Sequence, residues 1–395
     1  MLKVESKEKC CGCTACASIC PKKAIKMVAD DEGFLYPKID LDKCIDCHLC
    51  EKVCPICFRD NLKSQSKPLN YMAGRLKNYD DLMVSSSGGA FWALAKETIA
   101  KNGIVIGAEY SSGCCVTHGF AETLEECKKF RGSKYSQSNL VGVFSKIAAL
   151  LQSGKMVLFS GNPCQVEGLN LFLRKNYENL ITVDLLCHAV PSPKIFEEYC
   201  DFVGSIFKKE LIAINMRDKT NHGWGRGYSY KYIFTDGSSE IDPKRVTNWG
   251  RIYFSQYINR PACHSCRFTN LHRPSDITIG DFWDLEHNRN DISDKNGTSL
   301  ILINTEKGKR FFDYAQKHMN VYEITEKESL QPCLLTPPCP ELNRQKFWNF
   351  YHKYGFLKTY KKYFTEFAIS SIVKKIIPLE IKAKVKRWIR EKMRG

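Results

Sequence analysis

The sequence predicts a mixed α/β (α+β) chain in three parts: a small cysteine-rich module, a larger mixed-sheet body and a basic helical tail. Three observations carry this. Ten of the 20 cysteines fall between Cys10 and Cys57. From about Tyr71 onward, helix-period stretches alternate with short apolar runs. The segment from Glu341 to Gly395 holds 15 basic and 4 acidic residues, against a whole-chain net charge of +16. The composition, 43% apolar and 26% charged over 395 residues, suits two or three globular domains and excludes a disordered, collagen-like or coiled-coil chain.

Residues 1–60 form the first predicted domain, an internal repeat. Cys10, Cys13, Cys16, Cys20 and Pro21 recur 34 residues later as Cys44, Cys47, Cys50, Cys54 and Pro55. Between the two runs, AIKMV and FLYPKI flank the turn DDEG and read as a small hairpin. The polar stretch from Arg59 to Pro68 reads as a linker.

The body is expected over residues 71–330. Helical stretches at Gly89 to Lys101, Leu140 to Gln152 and Gln165 to Asn176 each precede an apolar strand, GIVIGAEY, KMVLFSG and ITVDLLC in turn. Strands joined by helical crossovers imply a mostly parallel sheet covered on both faces. Further strands follow in ELIAINMRD, DITIGDF and SLILINT, while YSYKYIF and SEI around Asp236-Gly237 predict an antiparallel hairpin.

Residues 341–395 form the predicted tail. Ile381, Val385, Trp388, Ile389 and Met393 share one helical face, and Lys382, Lys384, Lys386, Arg387 and Arg390 cover the rest. Pro378 separates this helix from a second basic segment, Lys361 to Ile377. A basic amphipathic helix fits an anionic membrane surface or a partner, and equally a solvated helix packed on the body. Outside the tail the net charge is small, and no nucleic-acid partner is expected. No apolar run approaches the ~18 residues of a spanning helix, and Met1 to Cys10 lacks the apolar core of a secretion signal. The expected location is cytoplasmic, with the tail as a candidate for peripheral attachment at the inner membrane face.

The doubled spacing C-x2-C-x2-C-x3-C-P is the bacterial ferredoxin pattern for two [4Fe–4S] clusters. Three thiolates on one tight loop cover three irons of a cube, and the fourth cysteine of each run serves the other cluster. Cys10, Cys13, Cys16 and Cys54 are therefore assigned to one cluster, and Cys44, Cys47, Cys50 and Cys20 to the second. Zinc sites use four ligands, usually as two spaced pairs, which fits this pattern poorly. Cys11 and Cys57 lie off the pattern and read as bystanders.

In the body, Cys164 follows one strand and Cys187 closes the next, at the carboxyl ends where open α/β sheets bind ligands. With the CxxC pair Cys263 and Cys266 they make four thiolates, enough for a third [4Fe–4S] cluster. Buried structural cysteines plus a zinc half-site or redox pair account for the same residues.

SSSGGAFWALAKETIAKNG, RGSKYSQS, SGNPCQVEGL, LLCHAVPS, RDKTNHGWG, CHSCRF, SDITIGDFW and NGTSLILINT occur in this order. Together they resemble the coenzyme F420 hydrogenase/dehydrogenase beta-subunit family of flavin and iron–sulfur oxidoreductases, here behind an N-terminal 2[4Fe–4S] bacterial-type ferredoxin domain. The resemblance runs from Cys10 to about Phe312. It implies FAD beside a [4Fe–4S] cluster in the body, and favours the cluster reading of Cys164, Cys187, Cys263 and Cys266.

A flavin is chemically apt, because clusters move single electrons and most organic reductions need two. No Rossmann fingerprint is present, so the expected cofactor contacts lie elsewhere. Ser87, Gly88 and Gly89 precede a helix and offer backbone N–H groups to a phosphate. Arg131 and Lys134 supply positive charge for the diphosphate or the reduced ring. Asn221, His222, Gly223 and Trp224 are candidates for the flavin face or substrate side, and His188 and Asp281 for proton donors. A helix cap at Ser87 and solvated surface at Arg131 and Lys134 are the plain alternatives. The favoured function is an FAD- and [4Fe–4S]-dependent oxidoreductase acting on a small organic substrate or reduced carrier, with an electron donor or acceptor protein as partner. The alternatives are an electron-transfer adaptor feeding a separate catalytic partner, and a zinc-dependent nucleic-acid-binding protein.

Overall fold

The computed structural model describes residues 4, 6–57, 66–225, 229–283, 285, 289–293 and 295–365. The tail helix read at Ile381 to Met393 lies outside the described residues.

The N-terminal hairpin forms as its sequence predicts. Strands β1 (Ile25–Ala29) and β2 (Leu35–Ile39) pair antiparallel. Asp30 Oδ1 accepts from the N–H groups of Glu32 at 3.1 Å and Phe34 at 2.8 Å, and Gly33 takes the left-handed turn at φ +87°. The short helices Ala15–Ile19 and Leu49–Lys52 carry the repeated cysteines.

The body is built on an eight-stranded sheet. Its members in chain order are β3 (Asn70–Leu76), β4 (Ile104–Tyr110), β5 (Val116–Ala121), β6 (Val157–Gly161) and β7 (Leu180–Leu185). Strands β8 (Leu211–Asp218), β9 (Ser229–Phe234) and β10 (Ser239–Ile241) form a separate antiparallel sheet, closed by Gly237 at φ +79°. Strands β11 (Ile277–Asp281), β12 (Ser299–Ile303) and β13 (Met319–Glu323) complete the large sheet, ordered β13-β3-β12-β11-β7-β6-β4-β5. The parallel core, β11-β7-β6-β4, is the part the helix–strand alternation foretells. Antiparallel strands β12, β3 and β13 extend one side and β5 the other, so half of the sheet departs from the mostly parallel expectation. β3 and β5 each contain a glycine and β13 is MNVYE, so none presents the apolar run that marks a buried strand.

Strand alternation divides the core between the two faces. Val105, Leu158, Ile181 and Ile277 pack with the helices Ala90–Ala100 and Glu306–Ala315. Ile104, Ile106, Val157 and Phe159 pack with Val143–Gln152 and Pro163–Leu173. Cys13, Ala15 and Val53 join this second cluster, so the N-terminal module is seated on the outer helices of the body.

A third core packs the small sheet against helix Pro193–Phe207, Trp249 and helix Arg344–Tyr360. Phe347, Trp348, Tyr351 and Tyr360 are buried there. The first part of the segment read as a tail is therefore core, because its aromatics outweigh its charge when a cluster is available to receive them.

Candidate functional site

The sheet sets the site. Gly107, Ser160, Leu185 and Ile279, near the carboxyl ends of the four parallel strands, line a cavity of about 590 Å³. That is within the ~300–1,000 Å³ of cofactor and small-molecule clefts, and it lies where parallel sheets bind them. Phe91, Trp92, Phe130, Tyr135, Tyr253 and Trp283 give it aromatic walls.

Of the residues expected here, Ser87, Gly89, Arg131, Lys134, His188 and Asp281 line this cavity. The loops Ser85–Ser87 and Arg131–Lys134 are tied together. Ser86 Oγ accepts from the Ser133 N–H at 2.9 Å and lies 3.1 Å from Ser133 Oγ. Arg131 lies flat over Trp92, 3.4 Å from the ring centroid, and bonds Asp81. The Lys134 ammonium turns back onto the carbonyls of Lys129 and Arg131, both at 2.8 Å, and Gly132 at 3.3 Å. Burial pulls its pKa down to about 7. Gly89 caps the helix Ala90–Ala100 at φ +81°, and Ala90, Phe91 and Trp92 of its first turn face the cavity. Gly88 points away: a Cβ there would lie 2.1 Å from Gly74 O, so this glycine lets the loop cross the sheet. Ser87 Oγ donates to Thr298 O at 2.8 Å, on that same side.

Asp281 Oδ2 accepts from Arg217 at 2.6 Å, and Oδ1 from Trp224 Nε1 at 3.4 Å. Both oxygens are already engaged, which suits an orienting role better than proton donation. Trp224 does not line the cavity but stacks on Trp283, which does, at 4.7 Å. Asn221 and His222 sit on an exposed turn outside the lining. His188 Nε2 accepts from the Gln256 amide at 2.9 Å, which leaves its proton on Nδ1. Burial, with help from His264, holds the ring's pKa below its ordinary value.

A second cavity, about 370 Å³, is lined by Cys164, Cys187, Cys263 and Cys266 together, with Cys11 of the N-terminal module beside them. Cys187, His188, Ala189 and Val190 line both cavities and form the wall between them. Cys11 is in hydrogen-bonding reach of Cys13 and Cys164, so this off-pattern cysteine stands at the junction. A third, smaller hollow is lined by Cys20, Cys44, Cys47 and Cys50 with Ile25 and Ile39 around them. These are the four thiols the crossed ferredoxin pattern groups. Cys13 packs into the body's outer-helix cluster, Cys10 meets Arg260, and Cys16 is buried with Ile25, Cys50 and Cys54 in the module's own small core, while Cys54 is also near Cys11 and Cys47 is exposed. Among the described residues no three His, Cys, Asp or Glu side chains converge as a single-ion site requires. The cysteines line hollows instead.

Several residues at the site carry no signal in the sequence. Arg217 and Trp283 fall within the ordered motifs but have no periodic or spacing mark. Arg260, three residues before the CxxC, is fully buried and reaches into the N-terminal module. His118 lies on the edge strand β5 with its Nε2 2.9 Å from Ser160 O, and burial lowers its pKa to about 4. Lone residues of this kind acquire a role only from what the fold brings against them.

Residues 154–329 match the family described as the C terminus of the coenzyme F420 hydrogenase/dehydrogenase beta subunit, and residues 9–56 match the 4Fe-4S dicluster domain. Among solved structures, a chain in the F420-reducing [NiFe] hydrogenase complex from Methanosarcina barkeri, prepared as a xenon derivative, is similar at 18% identity. That likeness covers 75% of this chain and 91% of that one, with a TM-score of 0.46. No curated protein matches the chain.

Proposed function

Residues 154–329 belong to the C-terminal family of coenzyme F420 hydrogenase/dehydrogenase beta subunits, and residues 9–56 are a 4Fe-4S dicluster domain; from that premise we propose an iron–sulfur flavoprotein oxidoreductase. It passes electrons between ferredoxin-type [4Fe–4S] clusters and FAD, and on to or from a small organic substrate or reduced carrier. The observation that carries this reading is contiguity. The hollow of Cys20, Cys44, Cys47 and Cys50, the buried cysteines of the first run, the four-cysteine cavity and the large aromatic cavity follow one another from the module to the carboxyl ends of the parallel strands.

The residues fit the groups assigned to them. Cys10, Cys13, Cys16 and Cys54 are assigned to an inner cluster, Cys44, Cys47, Cys50 and Cys20 to an outer one, and Cys164, Cys187, Cys263 and Cys266 to a third. The large cavity pairs aromatic walls with Ser86, Ser133, Arg131 and a helix N-terminus, a donor set suited to an aromatic ring bearing a diphosphate. Clusters supply one-electron transfer, and a flavin joins that to two-electron chemistry.

The chain's own groups order the cavity. Arg217 holds Asp281 at 2.6 Å and lies 5.1 Å from the Trp283 ring centroid, fixing the floor of the site. Burial and His264 disfavour the charged ring of His188, and with Nε2 accepting from Gln256 its Nδ1 is the nitrogen that offers a hydrogen bond beside Cys187. Cys11 of the module and Arg260 line the four-cysteine cavity on the side where module and body meet. We read the basic amphipathic stretch after Pro378, in the tail predicted over residues 341–395, as the segment that meets an anionic surface. Equal co-sedimentation with anionic vesicles, with and without the residues after Pro378, would dismiss that part.

Anaerobic purification with iron, sulfide and flavin analysis tests the whole. The expected result is twelve irons per chain at full loading, by the ~4 irons of each of three clusters, and one FAD. A colourless, iron-free chain overturns it, and zinc in place of iron would favour the nucleic-acid-binding alternative.

A further inference from the structure

The ferredoxin-like repeat is symmetric in sequence, but the fold treats its halves differently. Cys47 is exposed, and the cation lining the hollow of Cys20, Cys44, Cys47 and Cys50 is Lys22, itself exposed to solvent, with no buried arginine there among the described residues. Cys10 instead faces a cation supplied by the body. Arg260 has 0% exposure, and its guanidinium is held between the module and Gln137 of the body. Nε donates to Cys10 O at 2.7 Å, one Nη to Gln137 Oε1 at 2.8 Å, and the other to Leu35 O at 3.0 Å and to Cys10 Sγ at 3.6 Å. The guanidinium carbon lies 4.4 Å from the Tyr36 ring centroid and 5.3 Å from that of Phe34. Gly12 makes room for it: at φ +72°, a Cβ there would sit 2.7 Å from the Arg260 Nη1 atom.

A fixed cation in a dry site acts strongly on a nearby redox centre. Reduction adds negative charge, so a guanidinium bonded to a ligand sulfur favours the reduced state and raises the potential. We propose that Arg260 is a positioning residue that sets the inner cluster, held by Cys10, Cys13, Cys16 and Cys54, at a higher reduction potential than the outer one. The inference rests on the cluster assignment made above. Its consequence is an electron held preferentially on the side of the module that meets Cys164, Cys187, Cys263 and Cys266. Because Arg260 belongs to the body, the potential is raised only while module and body are docked.

The test is a potentiometric titration followed by electron paramagnetic resonance, on the anaerobically reconstituted full chain, its Arg260→Gln variant and its Arg260→Lys variant. Arg260→Gln should lower the midpoint of one ferredoxin-type cluster and leave the other unmoved, and Arg260→Lys, which keeps the charge, should restore most of the difference. Wild-type protein carrying 15N in its arginine side chains should in addition show a nitrogen hyperfine coupling on the reduced higher-potential cluster, lost in Arg260→Lys. This second measurement decides the matter if Arg260→Gln fails to hold its iron. Unchanged midpoints in Arg260→Gln, a Lys variant that falls as far as Gln, or no coupling in the wild type overturns the inference while the cluster assignment stands. A wild-type chain with no reducible iron overturns both.

Discussion

At the scale of single residues, burial decides charge. His118 is stacked on Phe159 at 5.5 Å and its pKa is lowered to about 4, so the fold favours the neutral ring. Above pH 6.5 neither state binds the proton and the residue adds no pH dependence. Between pH 6.5 and about 4 the unfolded chain takes up a proton that the folded chain refuses, and stability is lost as pH falls. The loss is up to about 3 kcal/mol. Denaturant titrations of the wild type and His118→Phe should therefore diverge as the pH is lowered from 7: the wild type weakens towards acid, and the variant does so less. Glu167, in the helix after Cys164, behaves in the opposite sense. Burial pushes its pKa up to about 7, against an attraction from Arg267. Its stability cost appears as pH rises from 4.5 through about 7, so Glu167→Gln should stabilise the chain at pH 8, by up to about 3 kcal/mol, and change little at pH 4.5. Thermal unfolding at the two pH values checks it.

At the scale of elements, glycines mark where two pieces of chain approach. Gly168 lies on helix Pro163–Leu173, and a Cβ there would sit 2.8 Å from both Cβ and Sγ of Cys13. Gly168→Ala should therefore push the module off the helix, at about 1–3 kcal/mol. On the cluster and flavin assignment proposed above, the expected readout is an altered resonance signal of the inner cluster with flavin retention unchanged; loss of flavin with an intact inner cluster would contradict it. The hairpins, the parallel strands and their crossover helices were legible because each has a local cause, such as Asp30 and Gly33 in one turn or an apolar run bounded by breakers. The antiparallel additions β3, β5 and β13 were not, since their pairing is fixed by the neighbouring strand and not by their own residues.

At the scale of the molecule, the N-terminal module is tied to a helix more than 300 residues further along the chain. Arg344 bonds both carboxylate oxygens of Glu32 and donates to Asn259 O at 3.1 Å. Helix Arg344–Tyr360 thus helps clamp the N-terminal module while its aromatics fill the third core. Truncation before Arg344 should abolish cooperative folding, whereas removing only the residues after Pro378 should keep it. Phe347→Ala alone should cost about 3–5 kcal/mol in chemical denaturation. Unaltered unfolding of the shorter chain would place the helix outside the folding unit. Basic charge was a sound guide to composition here and a poor one to burial, because charge counts say nothing about which aromatics find a receiving surface.

The sequence by itself determined the cysteine repeat of a 4Fe-4S dicluster domain and the α/β character of the body. Each is a matter of spacing along the chain, enforced by local turn and strand geometry. Only tertiary packing decided that Arg260 reaches Cys10, that Cys11 stands beside Cys164, that Asn221 and His222 stay at the surface, and that two cavities share the Cys187–Val190 wall. Those arrangements join residues that are distant along the chain, and they exist only once burial of the apolar faces has offset the entropy of bringing such distant segments together.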